Sequence, residues 1–201
     1  MFIAYSSLFG VLYLVGNLPV LQPLKRRNNG YLLLGSLGSI GLLLSFTFEW
    51  FWDWLREEKL MGNGLLLSPE FYVSMAISFA GLALLISRWK KHIEAGTALL
   101  EASFVGVILI FFVGQRAPGL AMLLVNFLVL GMGIQIIRKG AKQDHLGVVN
   151  YGLMVVTALI VCRFFDTNLS FVLRGLLFIL VGTGFFVANY LFLKRRKAHE
   201  V

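Results

Sequence analysis

Charge and cysteine are what this chain is short of. Only 14% of its 201 residues are charged, against about 25% in an ordinary soluble domain. That deficit excludes a typical water-facing globule. A single cysteine, Cys162, excludes an internal disulfide. It closes an apolar block and reads as an inert packing residue, because a reactive thiol needs an electropositive, partly exposed setting. Proline is scarce as well. Pro19 and Pro23 lie near the end of one apolar block, Pro69 at the start of another and Pro118 in a turn. None interrupts the middle of a block, as the discontinuous helices of many transporters would require. The sequence contains no G-x-x-x-x-G-K-[ST], H-E-x-x-H or G-x-S-x-G motif. His92, His145 and His199 fall far apart in hydrophilic connections. No catalytic residue, metal site or cofactor is expected.

Long apolar runs fill the space these absences leave. Hydrophobic residues make up 58% of the chain, and runs of roughly 20 of them match the hydrocarbon core of a bilayer. Within lipid a segment must satisfy its own backbone polar groups, so such runs should be helices. The pattern predicts an all-α, polytopic integral membrane helix bundle in one transmembrane domain over residues 1–201. Its seven spans are expected at about 2–21, 31–48, 69–87, 98–114, 119–137, 147–163 and 171–193.

Basic residues then set an expected orientation. Lys25, Arg26 and Arg27 follow the first block, and Arg88, Lys90 and Lys91 the third. Arg138, Lys139 and Lys142 follow the fifth, and Lys194, Arg195, Arg196 and Lys197 the seventh. These connections hold thirteen of the eighteen Lys and Arg. The alternate side keeps Arg56, Lys59, Arg116, Arg163 and Arg174. Positive-inside asymmetry predicts a cytoplasmic C-terminus and an outer N-terminus. The same clusters explain the net charge of +8 without nucleic acid, which is not an expected partner. "MFIAYSSLFGVLYLVGNLPV" lacks a basic n-region and a small-residue cleavage site, so a signal peptide is not expected. Either a short N-terminal tail is exported directly, or something is missing upstream.

The stretch "SFTFEWFWDWLREEKL", residues 45–60, crowds Trp50, Trp52 and Trp54 among Glu49, Asp53, Glu57 and Glu58. As a helix it places Trp50, Phe51, Trp54 and Leu55 on one face and Glu49, Asp53, Arg56 and Glu57 on the other. Amphipathic aromatic helices settle where headgroups meet hydrocarbon. Residues 49–60 are therefore expected to form an outer interfacial helix, with the three tryptophans as anchor. A lid over an outer cavity is the alternative.

A weak repeat also runs through the chain. "FAGLALLISRWKKH" from Phe79 and "VLGMGIQIIRKGAK" from Val129 align at fifty residues, Gly81 with Gly131 and Arg88 with Arg138. "LVGTGFFVANYLFLKRR" from Leu180 repeats the theme. The pattern suggests parallel two-helix hairpins: spans two and three, four and five, six and seven.

Polar residues inside apolar blocks are costly and mark sites worth weighing. Glu101 lies one turn inside the fourth block. It either serves a proton or cation pathway or reaches back towards Arg88 or Lys91. Asn126 and Asn150 join it as a candidate intramembrane polar site, and Gln135 and Asn189 are expected, like them, to hydrogen-bond neighbouring helices. On the outer side Arg163, Asp166 and Arg174 form a candidate anion or headgroup site, since two guanidiniums grip a phosphate or carboxylate bidentately. The competing reading is a local Arg163–Asp166 salt bridge. Gly35, Gly38 and Gly41, and Ser74, Ala76, Ser78, Ala80 and Gly81, read as helix-packing surfaces.

"NYG" at 150–152, "RFFD" at 163–166, "RGLLFILVG" at 174–182 and the terminal "KRRK" together resemble a bacterial family of predicted membrane proteins, domain of unknown function 2157. The likeness is best over roughly 145–197. It implies a bacterial inner-membrane protein with many helices and no assigned reaction. Family members usually begin with a cytoplasmic helical segment that this chain lacks, which implies a shortened relative or a fragment. The expected function is non-enzymatic: a scaffold or accessory of a cell-envelope process. Its expected partners are the lipid bilayer and a membrane protein or a second copy of the chain. A small-solute or ion transporter or channel is the alternative, and a membrane enzyme acting on lipid-linked substrates ranks third.

Overall fold

The computed structural model describes residues 2–18, 21, 29–57, 69–90 and 98–166, and beyond them 172, 175–176, 179, 182–187 and 189–190. Up to residue 166 the described chain forms eight helices: α1 (Phe2–Gly16), α2 (Gly30–Ser45), α3 (Glu49–Glu57), α4 (Pro69–Lys90), α5 (Ala98–Glu101), α6 (Ser103–Gly114), α7 (Pro118–Lys142) and α8 (Leu146–Asp166). The described positions from 172 to 190 are helical too, and there is no strand among the described residues. The fold is all-α.

Among the described residues, three helices are long and apolar enough to cross a membrane: Pro69–Lys90, Pro118–Lys142 and Leu146–Phe164. A fourth arises only if α2 and α3 count as one span, and that pair bends by 82°. The expected block at 31–48 thus ends in a turn at 46–48. Blocks 2–21 and 98–114 hold shorter apolar helices, α1 of 15 residues and α6 of 12. In the latter block the helix is interrupted at Ala102, whose backbone leaves the helical region at φ −91°, ψ 1°. Of the block at 171–193, positions 172, 175–176, 179, 182–187 and 189–190 are described, and these are helical.

The chain divides into two compact units, 1–128 and 129–201, with the division falling inside α7. In the first unit α1 is the hub, and α2, α4, α5 and α6 all pack on it. Its partnership with α2 is antiparallel. Phe2 meets Phe46, Phe9 meets Gly38, Tyr13 meets Gly35 and Gly16 meets Leu32. A Cβ on Gly35 would collide with the backbone of Tyr13 and one on Gly38 with the ring of Phe9. These two glycines let the helices approach closely. Gly41 faces open space, so the packing stripe stops short of it.

α1 and α4 instead run parallel and in register. Ser7 Oγ lies 2.7 Å from Ser78 Oγ, and the Asn17 carbonyl accepts from Arg88 Nη1 at 2.7 Å, each pair 71 residues apart. Leu14 and Leu85 share the same offset and the same buried cluster. So do Gly10 and Gly81, which flank the Phe104 ring: a Cβ would meet it at 2.6 Å from the first and 3.2 Å from the second. The sequences follow suit. "SLFGVLYLVGN" (7–17) lies beside "SFAGLALLISR" (78–88), with Ser, Gly and Leu coinciding at spacings of three and four, the seam of a coiled coil. The expected fifty-residue repeat does not carry an equivalent environment, since Arg88 is buried and Arg138 exposed. Nor do α2 and α4 pair as a hairpin in preference to α1. Ala76 and Ala80 face outward, because the seam of α4 runs through Ser78, Gly81, Leu85 and Arg88.

In the second unit the end of α7 packs tightly on the start of α8. Gly133 abuts Val156, Gly140 abuts the backbone of Val149, and Gly152 abuts Ile137. Between them the chain reverses in three residues. The His145 N–H returns to the Gly140 carbonyl at 3.0 Å while Asp144 sits at φ 47°, the hydrogen bond and left-handed residue of a Schellman cap. His145 Nδ1 then accepts the Val148 N–H at 3.3 Å, starting α8.

Glycine fits a left-handed position without a Cβ penalty, and a β-branched residue fits it worst. Asp144→Gly is therefore expected to raise stability by about 0.5 kcal/mol, and Asp144→Val to lower it. Reversible unfolding of the three chains checks the order.

Candidate functional site

Helix ends leave carbonyls without partners, and at the end of α1 polar side chains satisfy them one by one. Tyr13 O accepts the backbone N–H of Asn17 at 3.2 Å and its Nδ2 at 2.9 Å. Gly16 O accepts Asn29 Nδ2 at 2.8 Å. The other side of that amide, Asn29 Oδ1, accepts the Leu32 N–H at 3.2 Å and so caps the start of α2. Asn17 O accepts Arg88 Nη1. One buried asparagine thus closes two helices, and an arginine from a third completes the set.

Arg88 stands in the last turn of α4 and also at the end of α1. A cation is favoured at both positions by the helix dipoles. Its Nη2 contacts Glu101 Oε1 at 3.3 Å, with only 7% and 6% of the two side chains exposed. Glu101 ends α5, just before the break at Ala102, and Ser103 Oγ donates to Leu100 O at 2.8 Å on the far side of that break. The break therefore lets Glu101 meet Arg88 while Phe104 enters the α1–α4 seam. Leu14, Leu85 and Phe104 form the buried apolar cluster of that seam, with Leu84, Ala102, Val105 and Ile108 packed on it. Arg88 Nε is buried without a hydrogen-bond partner. Burial makes either charge alone very costly, so each carries the other.

Within the first unit, Asn126 does not join this cluster. Asn126 turns Nδ2 back to Met122 O of its own helix at 2.7 Å, and its Oδ1 is buried without a partner. Asn189 does likewise towards Phe185 O at 3.0 Å. Where cross-helix bonds were expected, both side-chain N–H groups bond the preceding turn of their own helix. Asn150, in the second unit, is exposed, and Gln135 is half-buried. Arg163 is half-buried in the last turn of α8 and Asp166 is its final residue. Arg174 lies outside the described residues, as do Lys91, Glu58 and the rest of the expected helix after Glu57. Among the described residues no group of three or more His, Cys, Asp or Glu is placed to hold a metal.

The aromatic segment differs from expectation in a specific way. Its buried residues are Phe51, Trp52 and Leu55, whereas Trp50 and Trp54 are 61% and 40% exposed. The packed face is rotated by one residue because Trp52 has partners. Its indole N–H donates to Phe46 O at 2.9 Å, and its ring lies against Gly114 at the end of α6. Phe51 completes a cluster with Phe46 and Phe2, at ring separations of 4.5 and 5.0 Å. Trp52 is a pin between helices, and only Trp50 and Trp54 face outward.

Sequence reasoning missed Asn17, Asn29, Phe104 and Gly114. Asn29 carried a readable signal, a capping residue just ahead of an apolar run. Gly114 and Phe104 carried none, because what each touches is set by helices far along the chain. No known family model, curated protein or solved structure matches the chain.

Replacing one partner of a buried pair strands the other. Arg88→Met or Glu101→Leu alone is expected to cost about 3 kcal/mol of stability. The double variant Arg88→Met/Glu101→Leu should recover most of that loss, short of about 1 kcal/mol for the Asn17 carbonyl. A double-mutant cycle by chemical unfolding measures the coupling, and additive losses would contradict the pairing.

Proposed function

We propose that this chain is a multi-pass integral membrane protein of the bacterial inner membrane that serves as a non-enzymatic scaffold or accessory of a cell-envelope process. Membrane embedding is supported by the outer surface of α4. Tyr72, Val73, Met75, Phe79, Leu82, Ile86 and Trp89 are all exposed along one helix. In water such a surface would be an aggregation liability; in lipid it costs nothing. In this reading seven spans cross with the N-terminus outside and the C-terminus in the cytoplasm, as the distribution of Lys and Arg favours. α1 and the α5–α6 run would be short spans of about 22 and 25 Å at 1.5 Å per residue, accommodated by local thinning of the bilayer.

The observation that carries the scaffold reading is the state of the buried charge. Arg88 and Glu101 neutralise each other, and the arginine is committed to the end of α1. A pair used this way fixes helices in place, whereas a transport path needs groups that ions can reach and leave. The transporter alternative draws on the same Glu101 acting as a carrier of protons or cations.

Two measurements separate the readings. Proteoliposomes holding the purified chain are expected to show no proton or cation flux above empty vesicles, with or without Glu101→Gln. Gentle extraction from the native membrane is expected to recover a stable complex with a protein partner. Flux that Glu101→Gln abolishes would replace the scaffold with a transporter.

A further inference from the structure

Asparagine followed by glycine occurs twice in the sequence, as Asn29–Gly30 and Asn63–Gly64. Asn63 lies outside the described residues, whereas Asn29 is the buried cap between α1 and α2. The dipeptide carries its own chemistry. The Gly30 backbone nitrogen, once deprotonated, attacks Asn29 Cγ, closing a five-membered succinimide and expelling ammonia. Water then opens the ring at either carbonyl and leaves aspartate or isoaspartate at position 29. Glycine favours the attack because no Cβ shields its nitrogen. Gly30 is also exposed, and a Cβ built on it would meet nothing within 4 Å, so water reaches the ring.

In the folded chain, geometry holds this reaction off. Ring closure must eclipse Cβ and the Gly30 nitrogen about the Cα–C bond of Asn29, which in an L-residue requires a negative ψ. Asn29 stands at φ −94°, ψ 87°, and both ends of its amide are engaged. Nδ2 donates to Gly16 O at 2.8 Å, and Oδ1 accepts the Leu32 N–H at 3.2 Å. Neither can turn until the end of α1 lets go. We propose that Asn29–Gly30 is a latent deamidation site, held shut by the polar cluster at the end of α1 and released when that cluster opens. The change runs one way. Aspartate at position 29 keeps an oxygen for the Leu32 N–H but turns the other towards the Gly16 carbonyl, acceptor against acceptor. Isoaspartate adds a methylene to the main chain and displaces the cap. A chain that has opened is thereby marked and kept from closing as before.

The full chain in lipid nanodiscs is compared with the same chain unfolded in urea and SDS, both in mildly alkaline buffer. After digestion in acid, tandem mass spectrometry scores aspartate and isoaspartate at position 29. The folded chain is expected to react about a hundredfold more slowly, since several buried bonds must open first. Arg88→Met/Glu101→Leu removes the neighbouring contact with Asn17 O without stranding a charge. It should speed the folded chain about fivefold, the loss of one hydrogen bond. Asn29→Asp, which installs one product directly, should lower the folding equilibrium constant by about tenfold. No product from the unfolded chain would overturn the site itself, and equal rates in folded and unfolded chains would overturn its protection. An unchanged rate in the double variant would overturn the part given to the α1 cluster. Wild-type stability of Asn29→Asp would overturn the one-way step.

Discussion

A buried guanidinium holds the first unit together. α1 is only 15 residues long, and its last carbonyls end among apolar neighbours, where an unpaired polar group costs several kcal/mol. Arg88 and Asn29 reach those carbonyls from two other helices. Once the arginine is there, its own charge must be neutralised, and Glu101 does so from α5. Four helices are thereby tied at one point, because each polar group brought in to satisfy another has its own need for a partner.

The opposite end of the same unit is closed by different means. There Phe2 of α1, Phe46 after α2, and Phe51 and Trp52 of α3 stack on one another, and the Trp52 ring rests on Gly114 of α6. Between the ionic end and the aromatic end runs the parallel seam of α1 and α4, which is made of small residues. Ser7, Gly10, Ser78 and Gly81 allow the backbones to approach, and Phe104 fills the notch the glycines leave. Small side chains are how helices pack where no hydrophobic force drives them together.

Most of the helical content was legible from apolar runs alone, and the blocks at 69–87, 119–137 and 147–163 map directly onto α4, α7 and α8. Breaks were not. The 82° bend after α2 and the interruption at Ala102 contain no proline or glycine to announce them; they follow from what Trp52 and Glu101 must reach across the fold. The partner of Glu101 was foreseeable as one of two nearby cations, since an unpaired carboxylate in an apolar block demands one. For α3 helical periodicity gives an apolar side, but which residues a neighbour covers, here Phe51, Trp52 and Leu55, is set by contacts elsewhere in the fold. The repeat shows the same limit. A glycine before a basic end recurs in several helices, and only contact geometry distinguishes the pairing at 71 residues from the alignment at fifty.

The parallel register of α1 and α4 is the claim on which the clamp depends, and it can be tested directly. In a Cys162→Ser chain, Ser7→Cys and Ser78→Cys place two thiols where the hydroxyl oxygens now stand 2.7 Å apart, within easy reach of disulfide geometry. Mild oxidation should cross-link this pair rapidly within one chain, while Ser7→Cys with Ala76→Cys, on the outward face of α4, should stay reduced. Failure of the first pair to close, or equal closure of both, would contradict the in-register seam and with it the placement of Arg88 at the end of α1.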